Sequence, residues 1–355
     1  MTVGAKRRVL MVLEGHLLRF LWRRFIAERV TQSMAARLAP ELEARIASAV
    51  TTSCSQLQSD ALAAIDAGLI FEKPWKANLH IPSIELQASA DHPFLAHSTC
   101  CVRDFLHPEF QRFCRAMGNP LAFHRKVWEW VFILHHAVRT GAIGPGKRAL
   151  GFGVGSEPLP ATFAAMGAIV TATDAPADIC IAKGWRDGGS YTSKVHELFR
   201  PGVVDRDTFD RNVTFAECDM AQIPPQFTGY DFCWSSCSFE HLGTLAAGLE
   251  FVEASIERTL KPGGIACHTT EFNLSSDDET VEAGPTVLYR KRDILKLIDV
   301  LQQRGHSVEP FSIAPDTHVL DSYVDTPPYD ASPQLKLSLL GYVSTSVGLV
   351  IRRSN

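Results

Sequence analysis

Short apolar runs alternate with amphipathic stretches along the second half of the chain. The apolar runs have the length of buried strands, and several of the stretches between them repeat their apolar positions at helical spacing. The predicted strands are 148–150, 167–174, 213–220, 230–236, 265–272, 306–313 and 344–353, and the predicted helices are 122–138, 159–166, 245–260 and 292–303. This alternation predicts an α/β fold in which a sheet is buried between helices.

The first 120 residues follow a different pattern. Alanine, leucine and arginine recur at helical spacing up to about Leu69, and Pro74, Pro82 and Pro93 then interrupt the chain. We therefore predict two regions. Residues 1–120 form a mainly helical extension that acts as a lid, a substrate-binding region or an oligomerisation region, and residues 121–355 form the main domain.

One segment of this extension, residues 6–30, mixes lysine and arginine with leucine, phenylalanine and tryptophan. Such an amphipathic helix can lie on an anionic membrane surface, which would give a peripheral membrane contact. The favoured alternative is that its apolar face packs against the enzyme's own body or against a second copy of the chain, because most amphipathic helices serve protein cores.

Three alternate glycines follow the first predicted strand of the main domain. Gly151, Gly153 and Gly155 are called the glycine turn below. Glycine is required where the backbone turns sharply out of a strand and a ligand approaches closely. A helix and a second strand follow, and that strand ends in Asp174. Strand, glycine turn, helix, strand and acid in this order predict half of a nucleotide-binding unit.

The spacing within this unit argues against a dinucleotide-binding site. The fingerprint of such sites, G-x-G-x-x-G, would place glycine where the chain has Ser156. From Gly151 to the C-terminus, the order of motifs instead resembles the class I S-adenosylmethionine-dependent methyltransferases. The KPGG turn at 261–264 and the closing pair of strands are part of this resemblance, which covers somewhat over half the chain. It implies a seven-stranded, Rossmann-like methyltransferase sheet with helices on both faces and an antiparallel last strand.

The same resemblance implies S-adenosyl-L-methionine as the cofactor. In that family the glycine turn holds the methionine portion, and the acid at the position of Asp174 accepts both ribose hydroxyls, a task that suits an acceptor-only carboxylate. Asp219 and Met220 fall where the family binds the adenine amine and the adenine face. Trp234 and Ser235 would lie at the cofactor pocket.

Two more charged residues receive roles from the resemblance. The family commonly covers its cofactor with a helix in the position of 122–138, so Arg125 would meet the methionine carboxylate as a charged fork. The equally weighted alternative is an arginine solvated at the start of a helix. Asp231 begins the fourth strand and would lie near the methionine amino end.

Catalysis of methyl transfer requires an in-line nucleophile held close to the sulfonium in a dry pocket. An alcohol acceptor also gains from a general base, and open α/β sheets bind ligands beyond the carboxyl ends of their strands. The candidates in that position are Glu240, His241, His268 and Glu271. His241 is the first choice, because it follows the fourth strand; a histidine oriented structurally by hydrogen bonds is the alternative.

These two histidines and two glutamates also have the chemistry of a divalent metal site. Their spacing along the chain is not diagnostic of one. The sequence therefore predicts an enzyme without a bound metal.

A DTPPY segment at 325–329 resembles the signature of amino-group methyltransferases. In those families the signature follows the fourth strand, whereas here it lies between the sixth and seventh. We interpret it as a rigid loop that forms a substrate wall together with Asp321.

The acceptor itself is predicted to be a sugar, a glycan or another small molecule that is methylated on a hydroxyl. The predicted polar and aromatic rim comprises His241, His268, Glu271, Tyr289 and Tyr329. Such a rim suits a polyhydroxylated acceptor. The second half of the chain also resembles a loosely characterised bacterial group of small-molecule and glycan methyltransferases that shares the EHLG and HTTEF segments.

Composition narrows the class of partner and compartment. The 355 residues carry a formal net charge of −4, which disfavours a broad electrostatic grip on nucleic acid. The nine cysteines show no C-x-x-C spacing, so a reducing cytoplasm is the expected location. No apolar run has the length needed to span a bilayer.

Two other functional classes compete with a methyltransferase. A non-catalytic scaffold that keeps the fold would be marked by a damaged cofactor turn, but the glycine turn and Asp174 are intact. An NAD-dependent oxidoreductase is disfavoured by Ser156 and by the closing strands. Titration with each cofactor would separate the three classes.

Overall fold

The computed structural model describes residues 89–176, 195–329 and 332–355, all of which belong to the second of the chain's two units, residues 81–355. Residues 6–30 and the helical pattern up to Leu69 lie outside the described residues. Membrane contact and self-association through that region therefore stay predictions.

Helices and strands alternate along most of the described chain. The helices are α1 (Val102–Leu106), α2 (Pro108–Ala116), α3 (Arg125–Arg139), α4 (Leu159–Ala165), α5 (Arg206–Asn212), α6 (Leu245–Ala254) and α7 (Lys291–Gln303). The strands are β1 (Arg148–Phe152), β2 (Ile169–Asp174), β3 (Val213–Glu217), β4 (Tyr230–Ser236), β5 (Leu260–Asn273), β6 (Ser307–Val308), β7 (Val324–Asp325), β8 (Lys336–Leu339) and β9 (Tyr342–Arg352).

These strands form a single sheet in the order β3-β2-β1-β4-β5-β9-β8-β7, with β6 paired to β9. The first five strands are parallel, and β9 is antiparallel to β5. The expected α/β class and the antiparallel insertion of the last long strand are thus confirmed. The sheet of the described residues has nine strands and not seven, because the short strands β7 and β8 extend it beyond β9.

The sixth predicted strand, 306–313, is much shorter than expected. Only Ser307–Val308 pairs with β9, and Pro310 then removes a backbone donor. Residues 98–100 occupy the next part of the edge of β9: Ser98 accepts from the Gly348 N–H, and the Cys100 N–H donates to Ser346. Sequence periodicity could not detect this, because the covering residues lie more than two hundred positions away.

The sheet is covered on both faces, as predicted. Successive residues of a strand point to opposite faces, so Phe232 and Trp234 belong to one hydrophobic cluster while Cys233 belongs to the other. Helices α3 and α4 pack in the first cluster, and α6 and α7 in the second. At Gly348 on β9 a Cβ atom would lie 2.3 Å from the ring of Phe132, so glycine allows α3 to lie close to the sheet.

Residues 102–116 share the core of the sheet. Phe105 and Phe110 are buried in the same cluster as Trp128 of α3. The Asp104 carboxylate accepts from the Trp128 indole N–H at 2.7 Å, and burial raises the pKa of this carboxyl group to about 6. The assignment of residues 1–120 as an extension with a lid, substrate or oligomerisation role stays a prediction.

None of the helices in the described ranges combines the length and the apolar character needed to cross a bilayer.

Candidate functional site

A cavity of about 570 Å³ opens at the carboxyl ends of the parallel strands. This volume is within the range of pockets that bind organic ligands. The loops after β1, β2, β3 and β4, the first turn of α3, the outer end of β5, and residues near β8 all contribute to its wall. Open α/β sheets bind their ligands at this edge.

Two of the three glycines of the glycine turn line this cavity. Gly153 and Gly155 have φ angles of +58° and +48°, values that favour glycine. Gly151 does not line the cavity: a Cβ there would lie 2.4 Å from the ring of Trp234, so this glycine permits packing between β1 and β4. The sequence prediction that all three contact the cofactor is therefore wrong for Gly151.

Asp174 is the last residue of β2 and is only 6% exposed. Its carboxylate accepts hydrogen bonds from the backbone N–H groups of Gly155 (3.1 Å) and Ala175 (2.9 Å), which tie it to the glycine turn. Asp219 and Met220, just after β3, also line the cavity. Three predicted nucleotide contacts, Asp174, Asp219 and Met220, thus lie along one wall of the cavity.

Trp234 and Ser235 do not reach the cavity, contrary to the prediction. Strand β4 continues to Ser236, so both residues are still inside the sheet, and both are fully buried. Trp234 donates to a carboxylate oxygen of Glu157 at 2.5 Å. The residues that reach the cavity are Ser236, Cys237 and Ser238.

His268 is likewise a core residue and cannot act as the base. Its ring lies between the hydroxyls of Ser235 (2.8 Å) and Ser255 (3.0 Å), with no exposed surface. Burial lowers the pKa of His268 to about 3, so the ring is neutral at physiological pH. The metal-ligand set of two histidines and two glutamates therefore does not form.

The buried neutral ring of His268 predicts loss of stability in acid. The pKa of His268 is lower in the folded state than in the unfolded chain. Between these two pKa values the unfolded chain binds a proton at this residue and the native chain does not. The free energy of unfolding should fall by up to about 1.4 kcal/mol per pH unit below about pH 6.5 from this residue alone. Urea titrations at several pH values should give a shallower acid slope for His268→Gln than for the wild type; equal slopes would contradict the assignment.

Asp231 and Tyr289 also lie away from the cavity. Asp231 is at the amino end of β4, the opposite edge of the sheet, where it accepts from the Arg148 N–H at 2.9 Å and from Lys261 Nζ at 3.0 Å. Tyr289 is fully buried, and its hydroxyl donates to the Leu245 carbonyl at 3.3 Å. Neither residue can perform the role that the sequence suggested.

The DTPPY segment contributes one residue to the wall of the cavity. Tyr329 lines it, and its hydroxyl donates to the Ser338 carbonyl at 2.8 Å. Asp321 and Asp325 are buried away from the wall: Asp321 accepts from the Val102 N–H at 2.8 Å, and Asp325 accepts from Gln334 at 3.1 Å. Their role is structural.

A network of buried charges lies beside the part of the cavity wall that Arg125, Lys126 and Glu271 form. Arg125 contacts Glu271 at 2.5 Å and Glu129 at 3.5 Å, while Lys126 contacts Glu129 at 2.7 Å. Glu129 also accepts from the hydroxyl of Ser346 at 2.5 Å. Burial would raise the pKa of Glu129, but Lys126 and Arg125 outweigh it and hold that pKa at about 2.

This network changes the interpretation of Arg125. The residue lines the cavity as expected, but one terminal nitrogen is already engaged by Glu271, and its Nε is buried without a hydrogen-bond partner among the described residues. Contact with a methionine carboxylate therefore stays a prediction. Lys126 and Glu129 were missed, although charges at these positions of a strongly apolar helix were a usable signal.

Glu240 and His241 lie next to each other in the cavity wall, just after β4. His241 Nδ1 is 2.9 Å from the Pro285 carbonyl oxygen and 3.2 Å from Thr286 Oγ1. Because the carbonyl can only accept, the shorter contact favours the neutral tautomer with the proton on Nδ1 and the lone pair on Nε2. Nε2 is 3.9 Å from a carboxylate oxygen of Glu240. Burial raises the pKa of Glu240, and Thr270 donates to its other oxygen at 3.0 Å.

Cys237, Glu240 and Glu271 place three potential metal-ligand atoms within 4.8 Å of one another. One feature opposes a cation there: Glu271 is already paired with Arg125 at 2.5 Å, so a cation would have to displace that guanidinium.

Comparisons with known proteins give distant matches. No family model matches the chain, and no curated protein matches it. Among solved structures, it is similar to an S-adenosylmethionine-dependent methyltransferase from Clostridium acetobutylicum at 12% identity and a TM-score of 0.36, over 65% of this chain and 92% of that one.

Two further solved structures are similar at comparable levels. The glycopeptide N-methyltransferase MtfA, complexed with S-adenosyl-L-methionine, shares 16% identity at a TM-score of 0.37, over 65% of this chain and 95% of that one. Phosphoethanolamine N-methyltransferase 2 from Haemonchus contortus, in complex with the same cofactor, shares 14% identity at a TM-score of 0.37, over 63% and 52%. A functional assignment therefore depends on the site itself.

Proposed function

We propose that the protein is an S-adenosylmethionine-dependent methyltransferase that methylates a hydroxyl of a sugar, a glycan or another small molecule. The observation that carries the proposal is the convergence of Gly153, Gly155, Asp174, Asp219 and Met220 on one cavity at the carboxyl edge of the sheet. These residues supply a glycine-lined approach, two carboxylates and an apolar face, in the order in which a nucleoside cofactor needs them.

The nucleoside would lie against the ends of β2 and β3. Asp174 would accept from the ribose hydroxyls, Asp219 would accept from the adenine amine, and Met220 would pack on the base. The methionine portion would then follow the glycine turn toward β4. This direction brings the sulfonium methyl toward the loop that carries Glu240 and His241.

The acceptor would bind on the other side of that loop. Leu337, Leu339 and Tyr329 give this part of the wall an apolar and aromatic character, while His241 and Glu240 give it polar groups. A ring with several hydroxyls has both kinds of surface. The predicted class of acceptor follows from this mixture of surfaces.

The proposed reaction is an in-line displacement. The acceptor oxygen forms a bond to the methyl carbon as the sulfur–carbon bond breaks, and the sulfonium becomes a neutral thioether. His241 Nε2 takes the hydroxyl proton. Nδ1 donates to the Pro285 carbonyl, so the lone pair of the neutral ring is on Nε2. The neighbouring Glu240 would stabilise the imidazolium that results.

The two alternative classes make different use of the same cavity. An NAD-dependent oxidoreductase would require a close pyrophosphate approach where Ser156 stands. A scaffold protein would have no need for buried carboxylates held at a ligand cavity, since burying a charge is costly.

Cytoplasmic location stays part of the proposal.

Calorimetric titration with S-adenosylhomocysteine, with NAD as the control ligand, tests the assignment. We expect saturable binding of the first ligand alone, unchanged by a chelator. Purified protein should then transfer labelled methyl from the cofactor to members of a panel of sugars and small hydroxylated compounds. Binding of NAD alone would favour the oxidoreductase, and binding of neither ligand would favour the scaffold.

A further inference from the structure

Glu157 lies in the wall of the cavity immediately after the glycine turn, and it is only 5% exposed. One carboxylate oxygen accepts from the indole N–H of Trp234 at 2.5 Å. No lysine, arginine or histidine in the described ranges lies within ion-pair distance of this carboxylate. The sequence reasoning passed over Glu157, because a single glutamate beside a glycine turn has no periodic signal.

The other buried carboxylates of the cavity are better satisfied, whereas Asp219, which accepts from the Ala221 N–H, is partly exposed. Asp174 accepts from two backbone N–H groups, and Glu271 binds Arg125 and the hydroxyl of Ser344. Glu240 accepts from Thr270 and lies beside His241. A buried carboxylate that has one neutral donor and faces a ligand cavity is unusual, since burial without a countercharge is costly. Among the described residues, Glu157 is therefore the buried acidic side chain of this wall whose bonding is most incomplete.

We propose that Glu157 binds the α-ammonium group of the cofactor's methionine portion. The proposal rests on the proposed function. An S-adenosylmethionine molecule whose nucleoside lies against Asp174 and Asp219 would extend its methionine end past the glycine turn, and Glu157 follows that turn directly. The ammonium supplies both the missing positive charge and the missing hydrogen-bond donors. The sulfonium supplies charge but no donor.

The surroundings of Glu157 predict that binding is linked to a proton. Lys126 and Glu129 on α3 and Asp174 on β2 face it, and Arg200 donates to the carbonyl of the adjacent Ser156. Burial outweighs these contributions and raises the pKa of Glu157 to about 8. The empty site therefore holds a neutral carboxylic acid at neutral pH, and the arriving ammonium replaces the proton.

The experiment pairs two proteins with two ligands. Wild type and Glu157→Gln are titrated with S-adenosylhomocysteine and with its deamino analogue, in which hydrogen replaces the amino group. Glutamine retains an oxygen that can accept from Trp234, so the fold should be preserved. We expect Glu157→Gln to bind S-adenosylhomocysteine roughly 10- to 100-fold more weakly, the scale of a charge-assisted hydrogen bond, and to bind the deamino analogue as the wild type does.

Asp219→Asn is the matched control. It changes a carboxylate assigned to the adenine, so it should lower the affinity for both ligands by the same factor. An equal effect of Glu157→Gln on both ligands, or no effect on either, would overturn the assignment of the ammonium while leaving the methyltransferase proposal standing. Failure of the wild type to bind either ligand would overturn the proposed function, and this inference with it.

The pH dependence provides a second readout. The pKa of Glu157 is about 8, so at lower pH its carboxylic acid must lose a proton before it can bind the ammonium. Wild-type affinity for S-adenosylhomocysteine should therefore rise by up to about tenfold per pH unit between about pH 6 and about pH 8. Glu157→Gln should lack this rise. Equal pH profiles for the two proteins would contradict the proposal.

Discussion

Asp174→Ala is expected to weaken the binding of S-adenosylhomocysteine by about 100- to 10,000-fold, the loss of two hydrogen bonds from a carboxylate to ribose hydroxyls. The carboxylate is buried at the end of β2 and held by the N–H groups of Gly155 and Ala175. Its position is therefore fixed before a ligand arrives. Calorimetric titration measures the effect directly.

Two further variants make this result specific. Asp174→Asn keeps one acceptor oxygen for the backbone, so it should fold like the wild type and bind with intermediate affinity. Glu217→Gln removes a negative charge from the adjacent strand, opposite Asp174 in the register, but Glu217 is exposed and does not line the cavity. It should bind as the wild type does. Normal affinity of Asp174→Ala would show that the nucleoside binds elsewhere.

The framework that holds Asp174 was predictable from the sequence because it depends on local patterns. Strands β1 to β4 are short and mostly apolar, and the glycine turn and the acid at the end of β2 mark the ends of β1 and β2. The edge beyond β9 was not predictable. Its strands β7 and β8 are short, and residues 98–100 join it from a distant part of the chain.

The errors in the site share one physical cause. Strands β4 and β5 end at Ser236 and Asn273, as the predicted strands do to within one residue. Trp234 and His268 therefore lie before the carboxyl ends of their strands, inside the sheet, and only the residues that follow reach the cavity. A polar side chain in the middle of a strand can be buried if neighbouring hydroxyls satisfy it, and Ser235 and Ser255 do so for His268. Sequence pattern alone does not reveal that partnership.

The buried charges were missed for a related reason. Lys126 and Glu129 are separated by one helical turn in α3, so they can pair with each other. Their other partners come from β4 and β9, through the Ser236 carbonyl and the Ser346 hydroxyl. Only the folded sheet brings these groups together, and the network that they form fixes the first turn of α3 against the cavity.

His241→Asn is expected to lower the rate of methyl transfer by about 100- to 10,000-fold, the range attributed to a general base. The asparagine amide can still donate to the Pro285 carbonyl, so the loop after β4 should keep its conformation. The variant lacks the Nε2 lone pair that would take the proton. Affinity for S-adenosylhomocysteine should stay at the wild-type level, because His241 lies beyond the predicted cofactor contacts.

Steady-state kinetics with the accepted sugar or small molecule would separate these effects. A loss confined to kcat, with an unchanged KM for the cofactor, is the result expected of a base. The control is His97→Gln, since His97 contacts Ser312 at 3.1 Å and does not line the cavity; it should transfer methyl at the wild-type rate. Unchanged turnover in His241→Asn would remove the base from His241 and leave Glu240 as the remaining candidate on this loop, because its buried carboxylate has a raised pKa and lies at the same end of the cavity.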